Sequence, residues 1–460
     1  MVSHPIHAGG GGYLNADLFL FHPLVLSAVA TIGASIIVQL VSPSDPWGKT
    51  LLFLKQLGRQ ERGNMSSAPN VESSVGEYER LTARDTSADE RNSKYKMLVN
   101  SYYDLVTLFY EWGWGTSFHF ANRHPHESFD EAMRRHEYYL ASKLNLSGAL
   151  RGLAEAGGEA RSADREGPRE GCTPSMAHVK ILDVGCGIGG PMRNICKFTG
   201  ADVTGLTLNQ YQVDRGNELC RLDPHFRNPK GPVAGLPDVR CRSVQGDFMR
   251  QPFASSSFDA AYAIEATCHA PDRVKCYSEV YRVLKPGAVF ANIEWCITDK
   301  YDPENPEHVL VKKQIEVGDG LPDIASTHHC LASLRKAGFE ILEERDLVKD
   351  EYGGWQDPAT GEYSTSEEAL KRYRGGKPWM LPLMPSWNPF LQRFQFNWFG
   401  LRVTKYSLMI MEFLRIAPVG TSRTQVMLQT GAIGLARAGE LGIFTPMYLM
   451  VGRVPLDKKD

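Results

Sequence analysis

The sequence predicts an α/β fold in which a parallel, Rossmann-like sheet carries helices on both faces. The stretch Ile181-Leu182-Asp183-Val184-Gly185-Cys186-Gly187-Ile188-Gly189-Gly190-Pro191 joins an apolar strand at 179–182 to a helix, with proline at the preferred first helical position. Further apolar runs at 203–206, 241–244, 260–264 and 289–293 alternate with helical stretches, the last preceded by a Lys285-Pro286-Gly287 turn. Such alternation builds a parallel sheet with its ligand at the carboxyl ends of the strands. At 460 residues and 42% hydrophobic, the chain can fill one large domain and an appended region.

The glycine turn reads D-x-G-x-G-x-G, with Gly185, Gly187 and Gly189 letting a ligand approach the backbone. Asp183 stands directly before them, where a carboxylate repels a pyrophosphate but suits a ligand carrying an ammonium and a sulfonium. The turn is therefore assigned to S-adenosylmethionine rather than to a dinucleotide. The other strand ends hold Thr207 with Asn209, Asp247 followed by Phe248, and Glu265. Asp247 is expected to accept from the adenine amino group with Phe248 beside the ring, and Asn209 or Gln212 to meet the ribose hydroxyls. Thr207 stands where such enzymes often place a carboxylate.

From the beginning, residues 1–62 contain an apolar segment at 24–41, which at ~1.5 Å per residue spans roughly 27 Å, near the ~30 Å of a hydrocarbon core. No Lys or Arg precedes it, and Lys49, Lys55, Arg59 and Arg62 follow, so it reads as a membrane anchor with the rest of the chain cytosolic. Residues 63–95 are polar and read as a disordered tether. The region 96–146 is rich in aromatic residues: Tyr110, Trp112, Trp114, Phe118 and Phe120 interleave with Glu111, Gly113, Gly115 and His119. Glycines between tryptophans argue for a loop that lays ring faces around a ligand. Ser128 and Glu131 form a capping box before a helix bearing Met133, His136, Leu140 and Leu144. Residues 147–176 are a small-residue linker before the core at 177–345, and 346–460 form a C-terminal region with a Pro/Trp-rich run at 352–389.

A net charge of −2 gives no case for nucleic acid, and nine cysteines without metal-type pairing point to a reducing compartment and no metal. Homo-oligomerisation is left open.

Four runs together resemble the sterol 24-C-methyltransferase family. They are the aromatic stretch 110–120, the glycine turn, Tyr262-Ala263-Ile264-Glu265-Ala266-Thr267-Cys268-His269-Ala270-Pro271, and Ile315-Glu316-Val317-Gly318-Asp319-Gly320-Leu321-Pro322-Asp323-Ile324. The match covers roughly 102–453 in the family's order. It departs after the second strand, where Thr207 and Leu208 replace the usual asparagines. The resemblance implies a class I S-adenosylmethionine-dependent methyltransferase fold with an N-terminal membrane segment and a C-terminal sterol methyltransferase region. It also implies methyl transfer to the side-chain double bond of a sterol through a carbocation, a hydride shift and deprotonation, at the endoplasmic reticulum membrane with the catalytic part facing the cytosol. The runs 118–123 and 294–299 are similar to the cycloartenol-using branch; zymosterol or a 24-methylene sterol stays open.

Under that reading Tyr110, Trp112, Trp114 and Phe118 wall the sterol and stabilise the cation. Glu111, Glu265, His119 and His269 are the candidate proton acceptors, Glu111 and His269 ahead, and Asp319 is a turn former or a ligand of the sterol 3-hydroxyl. Two rivals remain: a quinol or tocopherol-type methyltransferase, which would not need the aromatic stretch, and a non-catalytic membrane-tethered binding protein, which would lack the acidic strand ends.

Overall fold

The computed structural model describes residues 68–83, 86–123, 127–151, 176–226, 240–348 and 398–458. The expected anchor at 24–41, nearly all of the 147–176 linker and the 352–389 run lie outside the described residues. Among the described residues no helix is long and apolar enough to cross a membrane.

Before the sheet come the helices α1 (Ala68–Thr82), α2 (Ala88–Ser93), α3 (Tyr95–Gly113) and α4 (Phe129–Ser142), with a further helical stretch at 146–151. The first two correct the expectation of a disordered tether. Val75, Tyr78 and Leu81 recur every three residues, and that spacing gives α1 one apolar face, which is buried against Leu98, Tyr102 and Leu105 of α3. The Tyr78 hydroxyl donates to the Val317 carbonyl at 2.6 Å. The aromatic stretch is likewise helical through Gly113, where an all-loop path was expected, because its rings fall at helical spacing; Trp114 and Gly115 both donate to the Tyr110 carbonyl to end the helix. Within the aromatic stretch only residues 114–120 lie in a loop. The capping box is present, with Ser128 and Glu131 bonding each other's backbone.

The core follows as β1 (Lys180–Val184), α5 (Gly190–Thr199), β2 (Asp202–Thr207), α6 (Gln210–Leu222), β3 (Cys241–Gln245), β4 (Phe258–Ile264), α7 (Arg273–Val283), β5 (Leu284–Ile297), α8 (Pro306–Asp319), α9 (Thr327–Lys336) and β6 (Glu340–Asp346). After the undescribed stretch come α10 (Trp398–Phe413), α11 (Thr421–Leu441) and β7 (Phe444–Arg453). The sheet order is β3-β2-β1-β4-β5-β7-β6. Strands β1 to β5 are parallel as expected, but the sheet is mixed: β7 is antiparallel to both neighbours, a pairing that the 3.6-residue and 2-residue patterns do not encode. The expected Lys285-Pro286-Gly287 turn falls inside β5, where pairing with β4 breaks between Phe258 and Ala260.

Alternation puts Ile181, Val203, Tyr262 and Ile293 on one face of the sheet and Leu182, Leu206, Ala261 and Phe290 on the other, each face under its own buried cluster. Helices α8 and α11 approach so closely that a Cβ on Gly318 would stand 2.1 Å from the Gly431 Cα. That contact brings the α10–α11 hairpin over the carboxyl ends of the strands.

If α1 is packed structure, Tyr78→Ala should lower stability by about 3–5 kcal/mol, as for other buried aromatic truncations. Urea unfolding checks this, and an unchanged midpoint would return the segment to the status of a tether.

Candidate active site

The turn after β1 is shaped by its first glycine. Gly185 has φ +89°, and a Cβ there would stand 2.3 Å from the Ala266 Cβ, so no other residue fits. Its amide and that of Cys186 donate to the Leu206 carbonyl, tying the turn to β2. Beside it lies a cavity of about 70 Å³ bordered by Gly185, Gly187, Thr207, Asn209, Gln212 and Phe248. Asn209 caps α6 by accepting from the Gln212 amide, and the Thr207 hydroxyl donates to Gln212 Oε1 at 2.6 Å. Gln212 Nε2 is buried with no partner, a donor left for a ligand. Asn209 Nδ2 donates to Asp104 of α3 at 2.7 Å, which ties the end of β2 to that helix. The close backbone and this open donor fit a nucleoside-bearing methyl donor.

The loop 114–120 forms the far wall. Buried Glu137 of α4 accepts from Ser117 at 2.6 Å and Asn194 at 2.7 Å, and its Oε1 lies 3.2 Å from His119 Nε2. His119 Nδ1 donates to the Phe120 carbonyl at 2.8 Å. Both ring nitrogens thus face acceptors, which only the imidazolium satisfies in full. Burial opposes that charge, but Glu137 outweighs it and holds the His119 pKa above its usual value.

Across the loop, a second cavity of about 150 Å³ is lined by Tyr110, Trp112, Trp114 and Phe118 from the predicted aromatic stretch, with Asp319, Trp295 and residues of α10 and α11. Phe118, His119 and Glu265 border both cavities. Glu265 sits at φ +52°, a strained position for a side chain, at the end of β4. Its Oε1 accepts from the Phe120 amide at 2.7 Å, while Oε2 is buried without a partner. Burial pushes its pKa up to about 8 against the pull of His119. Asp319 has the same character: Oδ1 lies 3.5 Å from the Tyr110 hydroxyl, which also bonds Tyr102, Oδ2 is unpartnered, and burial raises its pKa to about 8. In this largely apolar cavity burial therefore favours the uncharged form of both carboxyl groups, each of which has an oxygen without a hydrogen-bond partner.

Several expected roles do not match the placements. Glu111 borders neither cavity; Arg215 of α6 grips its carboxylate. His269 borders only the first cavity, with Nδ1 donating to the Gly320 carbonyl and Nε2 accepting from Tyr103 at 2.9 Å, and burial lowers its pKa to about 4. Asp183 lies beneath the turn rather than on the cavity wall, accepting from Tyr262 on the neighbouring strand at 2.9 Å, with burial raising its pKa to about 7. Asp247 is occupied by Tyr95, by Lys96 at 2.8 Å and by the Met249 amide, so it joins β3 to α3 instead of facing adenine. Sequence reasoning missed Asp104, Trp295 and the α11 wall. Trp295 carries a signal at a strand end, but nothing in the pattern of α11 marks it as cavity-lining.

A family model described as the sterol methyltransferase C-terminal region matches residues 391–456, and one described as a methyltransferase domain matches 182–292. The cycloartenol-C-24-methyltransferase of Arabidopsis thaliana is 42% identical over 395 residues, covering 85% of this chain and 98% of that one. This chain belongs to the sterol 24-C-methyltransferase family. Another relative, the sterol 24-C-methyltransferase of Candida albicans, is 37% identical over 373 residues, covering 81% of this chain and 84% of its own. As in a class I S-adenosylmethionine-dependent methyltransferase, the α/β core holds its glycine turn at the strand ends, here in a mixed sheet. The methyltransferase and sterol C-terminal matches fall on the two walls of the double cavity.

Gly185→Ala should weaken S-adenosylmethionine binding at least tenfold in calorimetry while the circular dichroism spectrum is kept; undiminished binding would remove the turn from the ligand site. Glu137→Gln should cost about 3–5 kcal/mol, because it leaves the His119 charge buried and unpaired. The contribution of a raised-pKa histidine is complete below its unfolded value of about 6.5 and is lost as pH rises through the higher folded value. The gap in denaturation midpoint between wild type and Glu137→Gln should therefore narrow from pH 6 to pH 9; a constant gap would mean that His119 is neutral.

Proposed function

We propose that the chain transfers the methyl group of S-adenosylmethionine to C24 of a sterol with a 24,25 double bond, with cycloartenol as the substrate that its plant relatives favour. The observation that carries this reading is the pair of buried carboxyls, Glu265 and Asp319, in an aromatic cavity that meets the glycine-turn cavity at Glu265. When bound, S-adenosylmethionine supplies an electrophilic methyl group; Gly185, Gly187, Thr207, Asn209, Gln212 and Phe248 would hold it.

An alkene needs no base before it attacks. It needs alignment in a dry site, and orientation can supply about 7–11 kcal/mol. The aromatic faces of Tyr110, Trp112, Trp114, Phe118 and Trp295 each add about 0.5–2 kcal/mol to a side-chain cation, so alignment exceeds any one ring and several rings together approach it. With the positive charge of a bound methyl donor nearby, the pKa of Glu265 falls and its proton would pass to solvent before the alkene attacks, so that a carboxylate stands ready as counter-charge and proton acceptor for the cation that follows.

After the hydride shift the cation lies at C24, next to the newly added methyl carbon. That carbon arrives from the glycine-turn side, which Glu265 borders. Glu265 Oε2 is therefore assigned as proton acceptor in place of Glu111 and His269, whose lone pairs are engaged elsewhere. Asp319 and Tyr110 are assigned to cation stabilisation. The endoplasmic reticulum membrane, with the catalytic part on the cytosolic side, is proposed as the location from the charge asymmetry around 24–41.

The test uses labelled S-adenosylmethionine with cycloartenol, lanosterol, zymosterol, a 24-methylene sterol and a tocopherol-pathway quinol. Label in the side chain of cycloartenol alone is the expected outcome, and label only in the quinol overturns the reading. Glu265→Gln should lower formation of the deprotonated 24-methylene product by about 10²- to 10⁴-fold with methyl-donor binding retained. Because the carboxylate is the active form, wild-type turnover should rise with pH through a limb at or below about 8. An acid-active profile, or an unaffected Glu265→Gln, would move the proton acceptor elsewhere.

A further inference from the structure

We infer that the α10–α11 hairpin docks on a phospholipid bilayer with the turn 413–419 seated among the headgroups, so that the sterol cavity is loaded from the membrane. The inference deepens the sterol reading and rests on it for what passes through. Along α10, Tyr406, Met409 and Phe413 recur at i, i+3 and i+7 and stand 50%, 46% and 79% exposed. The turn continues that stripe with Leu414, Ile416 and Val419, at 57%, 49% and 53%, and α11 extends it with Val426. The opposite side is anchored: Leu408 and Ala417 are buried against α1 and α3. A fixed scaffold thus presents a run of large apolar side chains to solvent, a pattern that marks an interaction surface.

Charge selects the partner. Between 402 and 426 the hairpin carries Arg402, Lys405, Arg415 and Arg423 against one carboxylate, Glu412. Glu412 is engaged by the Ser422 amide at 2.7 Å and hydroxyl at 3.0 Å, and Arg423 pairs with Glu79 of α1. Exposed Arg415, at φ +57°, stands in the middle of the apolar turn. Apolar side chains with basic residues among them suit an interface bearing anionic lipid. A second copy of the chain placed symmetrically on this turn would bring Arg415 near its own counterpart, an unfavourable pairing.

The position agrees with the chemistry. Leu401 and Thr404 of α10 and Gln425, Leu428 and Gln429 of α11 line the sterol cavity, and Gln425 lies only about one helical turn beyond the start of α11. The two helices that carry the exposed stripe therefore also wall the site for a ligand that resides in membranes.

The test uses the full chain, with Phe413→Cys and Val419→Cys each labelled with an environment-sensitive nitrobenzoxadiazole probe; the eight described cysteines are buried, and the unsubstituted chain run in parallel gives the background. With phosphatidylcholine–phosphatidylserine vesicles carrying a doxyl quencher, both probes should shift to the blue and be quenched, while a probe at exposed Asp214→Cys on α6 should not. Because the readout is local, binding through 24–41 alone cannot produce it. In a second arm, Leu414→Asp with Ile416→Asp should reduce methylation of vesicle-embedded sterol about tenfold and leave detergent-solubilised sterol unaffected. Probes indifferent to vesicles overturn the inference. So does shielding of the probe by dimerisation in sedimentation, or by residues 24–41 in cross-linking. Quenching without methylation of sterol in either medium would keep the docking surface and discard the substrate reading.

Discussion

The double cavity depends on one buried carboxylate. Glu137 takes hydrogen bonds from Ser117 and Asn194 and the charge of His119, and so fastens the short loop 114–120 to the helical layer above the sheet. That loop carries the partition between the two cavities: Phe118 and His119 face both, and the Phe120 amide fixes one oxygen of Glu265. Without the anchor, the aromatic wall would have no fixed distance from the glycine turn. The role of Glu137 is thus to fix geometry.

That division of labour explains how acidic residues persist in an apolar site. An ionised carboxylate in such surroundings is costly unless paired. Glu137 is engaged by Ser117, Asn194 and His119; Glu265 and Asp319 each keep an oxygen without a partner, and burial favours their protonated forms. Glu111 lies on the same helix as Tyr110 but points to Arg215, and so serves to join α3 to α6. Identical side-chain chemistry yields a strut, a poised acid or an inter-helix tie according to what surrounds it.

Much of this was legible in the sequence. The five parallel strands and the turn with Gly185 follow from local periodicity and glycine placement, and the rings of Tyr110, Trp112, Trp114 and Phe118 that line the second cavity stand out as a dense aromatic run, whereas Trp295 does not. What was not legible depends on tertiary neighbours. No local pattern tells that Asp183 meets Tyr262 on neighbouring β4, that Asp247 is taken up by Tyr95 and Lys96, or that Asp104 is tied to the end of β2 by Asn209. The helix α1 was misread for a different reason: its apolar face is narrow and set among charged residues, so its mean composition resembles a solvated linker although Tyr78 is fully packed.

The position of β7 has a consequence for the order in which the molecule can assemble. The last strand of the chain lies between β5 and β6, both made much earlier. During synthesis from the amino end, β5 and β6 must wait unpaired on facing edges until residue 453 has left the ribosome, and the α10–α11 hairpin that precedes β7 cannot settle over the site before then. Completion of the sheet and closure of the catalytic chamber are therefore one late event. A nascent chain halted short of its final strand would display an open sheet edge suited to chaperones or aggregation, and no working enzyme.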